Sequence, residues 1–112
     1  MLRTAFTARA GSADPLVTWC DDSQRAELSG RSFANAVAKA ANYLVAEFDL
    51  APESRIAVSL GCHWQSTVWH TAALLASATL TTPEAADVLV AFPGQSAKPH
   101  QTCLAISRHP AF

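Results

Sequence analysis

Residues 28–82, LSGRSFANAVAKAANYLVAEFDLAPESRIAVSLGCHWQSTVWHTAALLASATLTT, decide the fold. Phe33, Val37, Ala40, Ala41, Leu44 and Phe48 recur at helical spacing, while Arg31, Lys39 and Glu47 fall on other faces. This is the pattern of a long amphipathic helix. Ser29 suits its N-cap, since a hydroxyl can accept from the unpaired N–H groups of the first turn, and Ser32 is the competing cap one turn later. Pro52 stops helix continuation and turns the chain into the apolar run Arg55-Ile56-Ala57-Val58-Ser59-Leu60, which Gly61 breaks. A second helix is predicted from Trp64 to Ser77, with Trp64, Val68, Ala72 and Leu75 on one stripe and Trp69, Ala73 and Ala76 beside it. Such a helix calls for cover on two sides. Thr79 to Thr82 reads as a short strand. Helix, strand, helix and strand joined by tight turns are the grammar of a parallel α/β sheet.

Outward from this unit, Met1 to Ala10 fits a short helix covering an edge of the core, ended by Gly11 and Ser12. Pro15 opens Leu16-Val17-Thr18-Trp19-Cys20, and Asp21-Asp22-Ser23 supplies a turn before Arg25 to Leu28. That is a β-hairpin, with Leu16, Thr18 and Cys20 on one face and Val17 and Trp19 on the other. Downstream, Pro83 begins a turn, Asp87 to Phe92 reads as a buried strand, and Thr102 to Ser107 as a last one. The expected fold class is therefore α/β: a small, mostly parallel sheet flanked by helices, preceded by an N-terminal hairpin. Residues 1–112 are read as a single domain, with an N-terminal arm at 1–14 and a Pro/Gly loop at 93–101.

Composition narrows the function classes. The chain has 112 residues, half of them hydrophobic and 15% charged, with a formal net charge of −1. No excess of Lys or Arg is present to neutralise phosphates, which argues against a nucleic-acid or anionic-membrane partner. Cys20, Cys62 and Cys103 are far apart, odd in number and form no C-x-x-C pair. They read as reduced, mostly buried thiols of a cytoplasmic protein, with no metal site implied. Arg3 and Arg9 occur without the continuous apolar core of a secretory signal, leaving a transit peptide as the alternative. No apolar run reaches the length needed to span a bilayer.

Leu28-Ser29, Ala38 to Leu44 and Leu50-Ala51-Pro52-Glu53-Ser54-Arg55-Ile56-Ala57-Val58 resemble the start of the adenylate-forming superfamily, which includes acyl-CoA synthetases, peptide-synthetase adenylation domains and luciferases. Ala73 to Ala78 is similar to that family's Ala-rich helix end. The match covers about the middle half of the chain. A nearer likeness is to short bacterial proteins of unassigned function related to the N-terminal part of these enzymes, through Pro15 to Trp19, Asp21-Asp22, His63-Trp64-Gln65 and Leu104 to Pro110. Three departures stand out: Glu53-Ser54 replaces the usual Gly-Asp turn, Gly30 stands where Tyr is common, and Ala78 stands where Gly is common. They are expected to loosen turns without removing chemistry.

What the resemblance implies about activity is limited by what the chain lacks. Members of the family hold ATP with a Ser/Thr/Gly-rich loop, an Asp on the ribose and a Lys from a C-terminal domain, because charge developing in transfer must be held by clustered donors. The local counterpart is Pro93 to Pro99, where Ser96 and Lys98 are weak cofactor-binding candidates, weighed against an ordinary surface turn. No catalytic residue, metal ligand or cofactor is assigned. Cys62-His63 at a strand end admits a Cys/His hydrolase, with a helix-capping His63 as the alternative. His63 and His70 lack the i, i+4 spacing of a metal pair. Trp64 and Trp69, with His70, are read either as core packing or as the surface of a homodimer or protein partner. The expected function is a truncated, non-catalytic module of adenylate-forming type that acts by association. The alternatives are a ligase component whose partner supplies the nucleotide site, and the small hydrolase.

Overall fold

A computed structural model describes residues 2–20, 25–48, 53–61, 63–93 and 101–106. The elements follow in the order α1 (Leu2–Arg9), β1 (Pro15–Cys20), β2 (Arg25–Ser29), α2 (Gly30–Phe48), β3 (Arg55–Ser59), α3 (Trp64–Leu75), β4 (Thr79–Leu80), a 3-10 turn (Pro83–Ala85), β5 (Val88–Ala91) and β6 (Thr102–Ala105). The first two strands form an antiparallel hairpin, and the others a parallel sheet in the order β4-β3-β5-β6. The expected α/β architecture and its N-terminal hairpin are both present.

In the hairpin, Pro15 pairs with Ser29 and Val17 with Leu28, so Leu16 is an extra residue that bulges outward. The bulge keeps Val17 and Trp19 half-buried while Leu16, Thr18 and Cys20 face out. Helix α2 is capped by Ser29 and not by Ser32: the Ser29 hydroxyl accepts the Ser32 N–H at 3.1 Å. Two further N–H groups of its first turn donate to the N-terminal arm, Gly30 to the Asp14 carbonyl at 3.1 Å and Arg31 to that of Ser12 at 2.8 Å. Three of the orphan donors of this terminus are thereby satisfied. Gly30 makes the arrangement possible, because a Cβ there would lie 2.0 Å from the Arg9 carbonyl oxygen. Helix α1 covers the core edge through Phe6, which packs edge-on against Phe33 at 6.3 Å, and through Arg3, whose guanidinium donates to the Leu75 carbonyl at the end of α3.

The main core joins Phe33, Val37, Ala40 and Leu44 of α2 and Val68, Ala72 and Ala73 of α3 to Ile56, Val88 and Val90 of the sheet. On the opposite sheet face Ala57, Leu89 and Ala91 pack with Ala86. All four residues of β5 are buried, as expected for a central parallel strand covered on both faces.

Three expectations are corrected. Cys20 and Cys103 are exposed thiols, because Cys20 lies on the outer face of the hairpin and Cys103 on the edge strand β6. Helix α3 stops at Leu75, before Ser77, and closes tightly. Ser77 takes the left-handed conformation at φ 64°, its N–H bonds the Leu74 carbonyl, and the Ala78 N–H bonds that of Ala73. This is a Schellman closure, ordinarily made with Gly at the left-handed position. The departures from the resembled pattern thus leave the turns closed, with Glu53 at φ 75° in the place of the usual Gly.

Candidate functional site

In open α/β sheets, ligand sites lie beyond the carboxyl ends of the strands. Here Gly61, at φ 62°, turns the chain out of β3 and delivers His63 to the start of α3. His63 is 9% exposed, and its Nδ1 accepts the Gln65 N–H at 3.2 Å. A ring nitrogen that accepts carries no proton, so the neutral capping ring holds its proton on Nε2. Three aromatic rings surround it: Trp19 from the hairpin at 4.5 Å, Phe92 from the end of β5 at 5.0 Å, edge-on, and Trp64 at 5.7 Å. The cluster fastens the hairpin to the carboxyl end of the sheet. His63 thus takes the helix-capping role weighed against catalysis. Cys62, its suggested partner, lies outside the described residues, as do Ser96 and Lys98 of the nucleotide-loop candidate.

The two tryptophans of α3 separate. Trp64 belongs to the His63 cluster, whereas Trp69 lines a cleft of about 360 Å³ between α2, α3 and β6. Ala36, Ala40, Val68, Leu104 and Ile106 supply its apolar walls, with Lys39 as the lining charge and Tyr43 and Gln65 as polar edges. Tyr43 is 44% exposed and Gln65 is 2% exposed, so one opens to solvent and the other belongs to the floor. Sequence reading singled out Trp69 but missed Tyr43, Leu104 and Ile106. Their convergence depends on β6 pairing beside β5, which no local pattern encodes.

His70 does not meet His63. Its Nδ1 lies 2.7 Å from the Ser66 carbonyl oxygen and 3.2 Å from the Ser66 hydroxyl, one turn back on the same helix. At the amino ends of the strands, Arg55 grips Asp87: its backbone N–H and Nε reach Oδ2 at 3.3 and 3.5 Å, and a terminal nitrogen reaches Oδ1 at 3.2 Å. Both side chains are more than half exposed, so the pair serves register more than stability. Among the described residues no three His, Cys, Asp or Glu side chains converge to hold a metal ion. Nor is any helix among them long and apolar enough to cross a membrane.

No family model matches the chain. A TIGR03089 family protein from Mycobacterium tuberculosis (strain ATCC 25618 / H37Rv) is 42% identical over 60 residues, which are 52% of this chain and 25% of that protein. Among solved structures, the fatty acid AMP ligase from Legionella pneumophila superposes with a TM-score of 0.74 at 11% identity, over 93% of this chain and 23% of the ligase. The N-terminal subdomain of NpsA from Klebsiella oxytoca superposes with a TM-score of 0.67 at 13% identity, over 93% of this chain and 30% of its own. The chain has the fold of the N-terminal part of adenylate-forming ligases. At these identities the likeness concerns the fold, and the chain spans only about a quarter of the curated relative it matches. Among the described residues, the His63 cluster and the Trp69 cleft stand apart from ordinary core packing.

Proposed function

We propose that the chain is a non-catalytic, cytoplasmic module of ligase-type fold that acts by association, through the Trp69 side of α3, and does not adenylate a substrate by itself. The observation that carries this reading is where the polar and apolar groups fall. His63 caps a helix, His70 is held by Ser66, and Asp87 is clasped by Arg55. Meanwhile half-buried Trp69 borders an apolar cleft open beside α2. Titration calorimetry with MgATP tests the first half and is expected to give no binding heat. A micromolar dissociation constant that weakens in Lys98→Ala overturns it. Trp69→Ser tests the second half: loss of the oligomer with an unchanged circular dichroism spectrum supports a surface role, whereas unfolding assigns Trp69 to packing.

The second reading is a component of an acyl-adenylate-forming ligase completed by a partner. It is favoured by the proportion of the match, since 77% of the Legionella ligase lies outside the superposed region (100% less 23%). In that case ATP binding appears only after the complementary chain is added, and the two readings separate in one titration.

A further inference from the structure

Helix α1 is attached to the domain in a different way from the segment that follows it. Of its eight residues Phe6 alone is half-buried, and the other seven are exposed. Eight residues are too few for a helix that persists by itself in water, where about 12–15 are needed, so α1 is helical because it is docked. Among the described residues its attachments are the Phe6 ring on Phe33, the Arg3 guanidinium on the Leu75 carbonyl at 3.1 Å, and the Arg9 carbonyl seated where Gly30 has no Cβ. Beyond Arg9 the chain is tied by its backbone. The carbonyls of Gly11, Ser12 and Asp14 accept from the Arg31 guanidinium, the Arg31 N–H and the Gly30 N–H, at 3.1, 2.8 and 3.1 Å. Gly11 stands where one mode of attachment gives way to the other, exposed, with nothing within 4 Å of the place a Cβ would take.

We propose that α1 is a clasp that opens and shuts as one unit about Gly11 while the rest of the domain stays folded, alternately covering and baring Phe33 and the carbonyl end of α3. The closed clasp bridges two helices. Phe6 lies on the first turns of α2, and Arg3 brings a positive charge to the last turn of α3, where the helix dipole favours it. Opening gives up one ring contact and one exposed hydrogen bond, and the freed segment unravels because nothing then offsets its chain entropy. The bonds of Gly30 and Arg31 to Asp14 and Ser12 stay in place, so α2 keeps the satisfied start of its helix. Opening therefore costs a small part of what unfolding costs, which is the condition for a local transition. Its product is an apolar spot offered intermittently, since Phe33 is only 6% exposed when the clasp is shut. The clasp needs no partner and is compatible with either functional reading above.

Native-state hydrogen exchange of the full chain tests this. The amides of Phe6 to Arg9, bonded within α1, should exchange together, slower than in an unfolded chain but about a hundredfold or more faster than those of Val37 to Leu44. Equal protection in the two helices overturns the proposal, because α1 would then open only with the whole domain. Absence of protection in α1 overturns it as well, because there would be no shut state. A core substitution separates local from global opening. Ile56→Val weakens the folded domain whether the clasp is open or shut, so it should speed exchange in α2 roughly two- to tenfold and leave α1 unchanged. Acceleration of both helices by the same factor overturns the clasp. Phe6→Ala, which removes the ring contact, should speed exchange in α1 about tenfold. Gly11→Ala restricts the hinge in the open state and should slow it about two- to fivefold, and exchange that is not slowed excludes Gly11 as the hinge.

Discussion

Glu53 donates its backbone N–H to the Ser77 carbonyl at 3.4 Å, and both residues hold left-handed backbone, at φ 75° and 64°. These are the two non-glycine residues with positive φ among those described. They face each other where the chain enters β3 and where it leaves α3, so the strain is concentrated at one end of the sheet. The Thr79 N–H bond to the Ser54 carbonyl, at 2.8 Å, then starts the pairing of β3 with β4.

Glu53→Gly and Ser77→Gly are each expected to stabilise the protein. A side chain in the left-handed region costs roughly 1–2 kcal/mol, of which Gly recovers about 0.5–1 kcal/mol after its own entropy loss. Urea denaturation should show a higher midpoint at constant slope. Because the residues are hydrogen-bonded to one another, the double variant should depart from the sum of the singles.

Gly30→Ala should destabilise by roughly 1–3 kcal/mol, since the new methyl meets the Arg9 carbonyl oxygen. The control is a chain lacking residues 2–10, in which the obstructing atom is gone. There the same substitution should be neutral or stabilising, Ala being the better helix former by about 1 kcal/mol. Destabilisation of equal size in both backgrounds would show that the arm is not the cause.

His63→Ala removes both a cap and the centre of the aromatic cluster. His63→Asn restores a side-chain acceptor at the cap without the ring, and should recover about 1 kcal/mol of the loss. Thermal melting of the three proteins separates cap from packing. Equal melting temperatures for the Ala and Asn variants would assign the whole effect to the rings of Trp19, Trp64 and Phe92.

Leu44→Ala should cost about 2–5 kcal/mol, because Leu44 is fully buried on the core face of α2. Val37→Asp and Leu44→Asp place an unpaired carboxylate in the same core and should abolish the cooperative transition.

Much of this architecture is legible in short windows of sequence. The spacing of Phe33, Val37, Ala40 and Leu44, the capping hydroxyl of Ser29 and the run from Arg55 to Leu60 each fix a local outcome, and each element appears near its expected bounds. What was not legible depends on distant parts of the chain meeting. Gly30 reads in sequence as a departure that loosens a turn, yet its missing Cβ is what admits the Arg9 carbonyl, and Cys103, which reads as buried, lies exposed on the strand β6. The site was legible only in part: Trp69 and His63 were identified, but Trp19 and Leu104 reach them through tertiary packing.

The burial of β5 on both faces and between two strands has a consequence in time. Val88–Ala91 is uncharged and apolar throughout, and it pairs with β3 and β6 by parallel contacts that require long loop closure. A ribosome releases α2, β3 and α3 before it releases this strand. For that interval the inner edge of Ile56 to Ser59 awaits its neighbour, and a VLVA segment then emerges that any similar edge could capture. The hazard is greatest when several nascent copies are close together, so yield of folded protein should fall as synthesis rate rises, even for variants whose equilibrium stability is unchanged.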